Sequence, residues 1–288
     1  FVKSVHIIMY LSQPTLSRKI VIHLSEEMSI LDHIDEFRTR FIRIIITIGA
    51  LALFSFSFGL REYTIEGTKI LLPFPGPFNN IASQAIRMFE RDLLPDYVSV
   101  IVTAPSQALV AQLYFSLFLG VALGMPIIIR EVSAFFGPAL YSDERKRILK
   151  LALPATFLFL LGAAFSYILI TPFTIDFLYR YGFNVVQETF ITIDDFIRFV
   201  LLFTLAFGLS FELPILMWLL TVVGIVEPSF WRKNISYVVV IITIYGAIIT
   251  PDGSGITMWF VAIPMLFLYI IGYFIINRSL GKKSTGKV

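Results

Sequence analysis

The sequence predicts an all-α integral membrane protein with six transmembrane helices, both termini cytoplasmic, and short fifth and sixth spans. Three observations predict it. Only 15% of the residues are Asp, Glu, Lys or Arg, whereas soluble domains hold roughly 25%, and mean hydropathy is +0.83. Six apolar runs approach the ~20 residues that a bilayer-crossing helix needs. The basic residues then concentrate in alternate segments between those runs.

The runs lie at about 41–60, 106–129, 149–171, 195–223, 235–250 and 256–276. The fifth has about 16 residues, or roughly 24 Å of helix against a hydrocarbon core of roughly 30 Å. It is expected to form a tight hairpin with the sixth through Thr250-Pro251-Asp252-Gly253, thinning the bilayer locally. Segments 1–43, 130–150, 224–236 and 277–288 hold 17 of the 23 Lys and Arg. The positive-inside rule makes them cytoplasmic, in a multi-pass protein of the cell membrane. Residues 28–278 read as a single bundle and 279–288 as a basic cytoplasmic tail. Residues 1–27 are an N-terminal extension without an assigned role, Met28 being the expected natural start.

Between the first two runs, Ala82, Ile86, Phe89 and Leu93 recur at +4, +3, +4, with Arg87, Glu90, Arg91 and Asp92 between them. This spacing predicts an external amphipathic helix over about 79–94, capped by Asn79 or Asn80 and ended by Pro95. It can lie on the outer membrane surface or form a lid on the bundle's outer mouth. Pro73, Pro75 and Pro77 predict a stiff, extended connection before it. Gly120 and Gly124 form a small-xxx-small pair in the second run, expected to serve close internal packing rather than an oligomer contact.

Several chemistries are excluded. The chain has no cysteine, so disulfides, thiolate metal sites and thiol catalysis are absent. His6, His23 and His33 all precede the first run, which removes an internal histidine base or metal ligand. No Gly-x-x-x-x-Gly-Lys-[Ser/Thr] phosphate loop is present. No metal, cofactor or nucleic-acid partner is expected, and the chain is not read as an enzyme.

Glu212 interrupts the fourth run, where an ionised carboxylate costs roughly 2.5–3.5 kcal/mol at the bilayer centre. Pro214 removes the backbone donor that the Ser210 carbonyl would otherwise meet, which predicts a kink beside the acid. A proton- or cation-coupled small-solute transporter using Glu212 is one reading. No second buried acid is expected, and Ser210, Gln112 and Ser116 are only scattered companions. An intramembrane hydrolase lacks the necessary constellation.

Two further motifs carry carboxylates on the cytoplasmic side. In His33-Ile-Asp-Glu-Phe-Arg-Thr-Arg-Phe41, the apolar residues Ile30, Ile34, Phe37 and Phe41 share one face, and Asp35, Glu36, Arg38 and Arg40 project elsewhere. An interfacial helix with snorkelling arginines explains that pattern equally well. In Phe135-Phe-Gly-Pro-Ala-Leu-Tyr-Ser-Asp-Glu-Arg-Lys-Arg147, Ser142 can cap a helix whose first turn holds Asp143 and Glu144, where the helix dipole favours anions.

Taken in order, His-x-x-Glu-x-Arg-x-Arg before span one, Pro-Ala-Leu-Tyr-x-x-Glu-Arg before span three, Ser-Phe-Glu-x-Pro in span four and Thr-Pro-Asp with Ala-Ile-Pro around span six resemble TatC. This is the receptor family of the twin-arginine protein translocase, and the resemblance covers about residues 28–278. It implies a receptor and core component that exports folded proteins using the proton-motive force, working as a homo-oligomer in its complex. Twin-arginine signal peptides would be bound at Glu36 and Glu144, with Arg38 and Phe135 also at recognition positions. Glu212, with Pro214, would belong to a groove where single-span TatA- or TatB-type partners dock. Pro126 and Asp252 fall on further family positions, Pro126 setting the exit of span two. The sequence departs from the family in Ile34, Phe37 and Phe41, where leucines are usual, and in a longer 61–105 segment.

Overall fold

The computed structural model describes residues 30–65, 68–135, 152–183, 189–250 and 255–284. Glu144, Asp252, the Ser142 cap and residues 1–27 lie outside these. The first helix, α1 (Ile30–Ser57), joins a hairpin of β1 (Phe58–Ile65) and β2 (Thr68–Pro75). Then come α2 (Ile81–Leu93), β3 (Val98–Ile101) and α3 (Gln107–Phe135). The next long helix is α4 (Ala152–Phe165), a π-helical turn Ser166–Ile170, and α5 (Thr171–Phe183). Strand β4 (Thr189–Thr192) leads into α6 (Ile193–Phe211), which breaks at Glu212 and continues as α7 (Leu213–Val222). Helices α8 (Pro228–Lys233), α9 (Ile235–Ile249) and α10 (Ile256–Ser284) complete the chain.

Five helical stretches are long and apolar enough to cross a membrane, and Ile235–Ile249 is a shorter apolar helix. The protein is thus a mostly helical membrane protein. The sixth run is not short, contrary to its expected length: α10 has 29 residues, because the helix continues past Asn277 and Arg278 into the basic tail. The first run ends earlier than its apolar stretch, since Phe58 onward pairs as a strand instead of extending α1.

Helix α6 is the centre of the packing. Phe203, Ala206 and Phe207 form one core with Met217, Trp231, Ile242, Val261, Met265 and Tyr269 of the later helices. Phe196, Ile197 and Val200 form a second core with Ala82, Ile86, Ala111 and Phe115. Half of the fourth apolar stretch is buried, against 11% for the first. The fully packed stripe of α6 therefore faces protein, while α1 presents Ile45, Ile46 and Leu53 outward.

Small residues set the closest approaches. A Cβ on Gly120 would meet the Ile48 carbonyl at 2.5 Å, and one on Gly124 would touch Thr47 and Leu51. The glycine pair thus serves internal packing of antiparallel α1 and α3. Gly208 lies against the Phe159 ring and Gly162 against the Phe207 carbonyl, both 2.6 Å from a would-be Cβ. These two glycines seat α4 and α6 on each other.

One end of the bundle is covered. Helix α2 packs as a lid, with Ala82, Ile86 and Leu93 buried. Its cap is Asn80, whose Oδ1 accepts from the Ser83 N–H at 2.7 Å. The hairpin is fastened to it by Gln84, which donates to the Leu60 carbonyl at 2.9 Å and accepts from the Leu60 N–H at 3.2 Å. Strands β3 and β4 pair in parallel from Val98–Thr189 to Ile101–Thr192, joining two connections distant in sequence.

Candidate functional site

At the opposite end of α1 and α3, Glu36, Arg40 and Arg43 recur at +4 and +3, so they share a helical face. Arg40 donates from Nε to Glu36 Oε1 at 3.0 Å and from a terminal nitrogen to the same oxygen at 2.5 Å. Its other terminal nitrogen reaches Glu131 Oε2 of α3 at 3.1 Å. Arg43 adds an ion pair with that oxygen at 3.7 Å. Asp35, Glu36, Thr39, Arg40 and Arg43 line a concave surface here.

Sequence reasoning missed Glu131 and gave Arg40 no role. The expectation that no second acid is buried is wrong, since the Glu131 side chain is 7% exposed. It lies near the end of α3, away from Glu212. Arg130 and Glu131 end the apolar run, yet the helix continues to Phe135 because the Arg40 fork partners the acid across the helix pair. The signal was the +4, +3 spacing of one carboxylate and two arginines on α1.

Phe135 also comes to this end. Its ring meets Phe37 edge to face, with centroids 5.6 Å apart, and Phe37 stacks on Phe41 at 5.8 Å. The structure therefore sets Phe135 of α3 against Phe37, the residue after Glu36 on antiparallel α1. Arg38 is exposed on α1. Pro126 lies inside α3, nine residues before its end, so the helix runs through it; the proline leaves the Ala122 carbonyl without its i+4 donor.

The second position is the break between α6 and α7. Glu212 N–H turns back to the Leu209 carbonyl at 3.1 Å, and its own carbonyl accepts from Leu216 at 2.9 Å, starting the next helix. Pro214 is buried and lies against Gly272 of α10. The Glu212 side chain is half-buried beside the backbone of Phe159. Its Oε1 is occluded and has no hydrogen-bond partner among the described residues. Just before the break, Tyr245 of α9 donates to the Ala206 carbonyl at 2.9 Å, and Ser210 donates to the same carbonyl at 2.6 Å. Gln112, a suggested companion of Glu212, instead accepts from Asn80 at 2.9 Å beneath the lid.

A bundle of long apolar helices with a carboxylate–arginine cluster at one end and a broken, acid-bearing helix within is a polytopic membrane protein. Among the described residues no His, Cys, Asp or Glu group has a metal-binding arrangement. The profile of the family described as Sec-independent protein translocase protein (TatC) matches residues 32–264. The chain belongs to the TatC family, and is accordingly a component of a protein translocase rather than an enzyme. It is 42% identical over 261 residues to the Sec-independent protein translocase protein TatC of Cenarchaeum symbiosum, covering 90% of this chain and 99% of that one. The corresponding protein of Aquifex aeolicus is 35% identical over 209 residues, covering 72% and 84%. A crystal structure of the twin-arginine translocase receptor TatC superposes with a TM-score of 0.70 at 30% identity, covering 85% of this chain and 98% of that one.

Proposed function

We propose that this chain is the receptor and core component of a translocase for folded proteins, binding twin-arginine signal peptides at Glu36 and Glu144. The observation that carries the reading is the Glu36 carboxylate, which lines a concave surface next to the Phe37–Phe135 ring pair. A planar guanidinium fork matches a carboxylate bidentately, and an ammonium does not. The aromatic pair supplies an apolar wall for the residues flanking the arginines. Arg38 and Phe135 act at the rim of the same site.

The positive-inside bias supports a cytoplasmic location for this end, with six spans and the α2 lid outside. The α9 helix then crosses as a short fifth span. Glu212 and Pro214 form a separate docking point for a single-span TatA- or TatB-type helix. The acid at the helix break supports this, because a half-buried carboxylate can still meet a polar group from a partner helix. Pro126 and Asp252 act as structural positions, and the protein works as a homo-oligomer in its complex.

The test is photo-crosslinking of membranes containing the protein to a labelled signal peptide bearing Arg-Arg, and to its Lys-Lys variant. Strong labelling by the first alone, lost in Glu36→Ala plus Glu144→Ala, is expected. Equal labelling by both peptides, or labelling indifferent to the double substitution, would sink the reading.

A further inference from the structure

The Arg40 fork is divided. Two of its nitrogens fall on one oxygen of Glu36, and the third is held by Glu131. A guanidinium serving Glu36 alone would present two parallel donors to both carboxylate oxygens. Glu131 is an unfavourable place for an acid in its own helix: it is buried, and it lies close to the C-terminal end of α3, where the helix dipole repels anions. A buried carboxylate is tolerated only when paired, and Arg40 and Arg43 both approach it.

We infer that Glu131 is a positioning residue that holds Arg40 partly off Glu36, so that an incoming guanidinium can compete for the Glu36 carboxylate. The inference rests on the reading of Glu36 as a signal-peptide ligand. Arg40 has the same chemistry as the ligand and sits four residues from Glu36 on the same helix, so it is a competitor in place. Among the described residues, Asp35, Glu36 and Glu131 lie at this end with Arg40 and Arg43, so the carboxylates do not repel a cationic peptide. Without the Glu131 carboxylate, as in Glu131→Gln, the site is one unit more positive, and Arg40, having lost its second partner, closes onto Glu36. The side chains are partly screened from water, with Arg40 18% and Glu36 21% exposed, so the added positive charge acts at a reduced dielectric. A purely structural Glu131 would instead only tie α1 to α3.

The experiment measures binding of a fluorescent peptide bearing Arg-Arg to the full-length protein in detergent, by anisotropy. Glu36→Gln establishes the ligand role, and its binding should fall. Glu131→Gln should weaken binding about tenfold, on the order expected for one unit charge near the site. Adding Arg40→Gln to Glu131→Gln removes the competitor and should return binding to within about threefold of the parent. A tie between helices cannot be restored by deleting its other half, so this rescue is what a merely structural role would not give. A double variant no better than Glu131→Gln, or a Glu131→Gln protein that binds like the parent, overturns the inference while leaving Glu36 as a ligand. Unchanged binding in Glu36→Gln overturns both. Should Glu131→Gln not fold, Arg40→Gln alone decides: binding at least as tight as the parent supports the inference, and weaker binding overturns it.

Discussion

Asn80 Nδ2 donates to Gln112 Oε1 at 2.9 Å, while Asn80 Oδ1 caps α2 through Ser83. One fully buried side chain thus starts the lid helix and bolts it to α3.

Asn80→Ala should destabilise the protein by about 2–3 kcal/mol, adding the lost cap to the unsatisfied Gln112 acceptor. Asn80→Asp keeps the cap but turns a buried carboxylate oxygen toward the Pro77 and Gln112 oxygens, so it should be no milder than the alanine variant. Unfolding of the detergent-solubilised protein by SDS titration measures both. Equal midpoints for the alanine variant and the parent would show that the lid contributes nothing to stability.

The glycine seam predicts a contrast between two helix positions. Gly208→Ala would drive a Cβ into the Phe159 ring, itself fully buried. Such overpacking costs about 1–3 kcal/mol. Gly49 has nothing within 4 Å of its would-be Cβ, so Gly49→Ala should be neutral or stabilising by up to about 1 kcal/mol. The midpoint of the same titration should therefore fall for Gly208→Ala and hold or rise for Gly49→Ala.

The lid should loosen in acid. Asp92 accepts from Arg91 at 2.9 Å and from Tyr167 at 2.8 Å, and these hydrogen bonds, Arg91 first, hold its carboxyl below the ordinary aspartate range. A lowered folded value means that the stabilisation is full above the unfolded value, about 3.9, and is lost as pH falls through the folded one. Hydrogen exchange across α2 should rise below about pH 4, and Asp92→Asn should flatten that rise. An unaltered pH profile in Asp92→Asn would assign the loosening to another group.

Glu212→Ala is expected to bind the Arg-Arg peptide normally and to fail in assembly with the single-span partner. Co-purification of the partner, alongside peptide anisotropy, separates the two readouts. Loss of peptide binding in a folded Glu212→Ala protein would refute the separation of the two sites.

How far the sequence led depended on the range of the interaction. The periodicity of Ala82, Ile86, Phe89 and Leu93 located α2 closely, because it reflects a local helical face. The break at Glu212 followed from Pro214 alone. The β1–β2 hairpin was hidden by Pro73 and Pro75, which lack strand donors; a two-stranded ladder tolerates them because both strands are edges. The parallel β3–β4 pair leaves no local pattern at all. Glu131 was obscured for a related reason: a charge after an apolar run reads as the start of a loop until its partner on another helix is known. Glu36, Phe135, Glu212 and Pro214 were named from motifs, whereas the Arg40 link between helices required coordinates.

The parallel ladder between β3 and β4 has a mechanical consequence. Ile101 lies a few residues before α3, and Thr192 directly caps α6. These two helices are therefore pinned to each other at the covered end by main-chain bonds that cannot slide by a fraction of a residue. Any splaying of α3 from α6 must pivot there, with its largest travel at the far end, where Glu131 sits. The bundle is built like a pair of tongs, joined at the lid and opening toward the carboxylates.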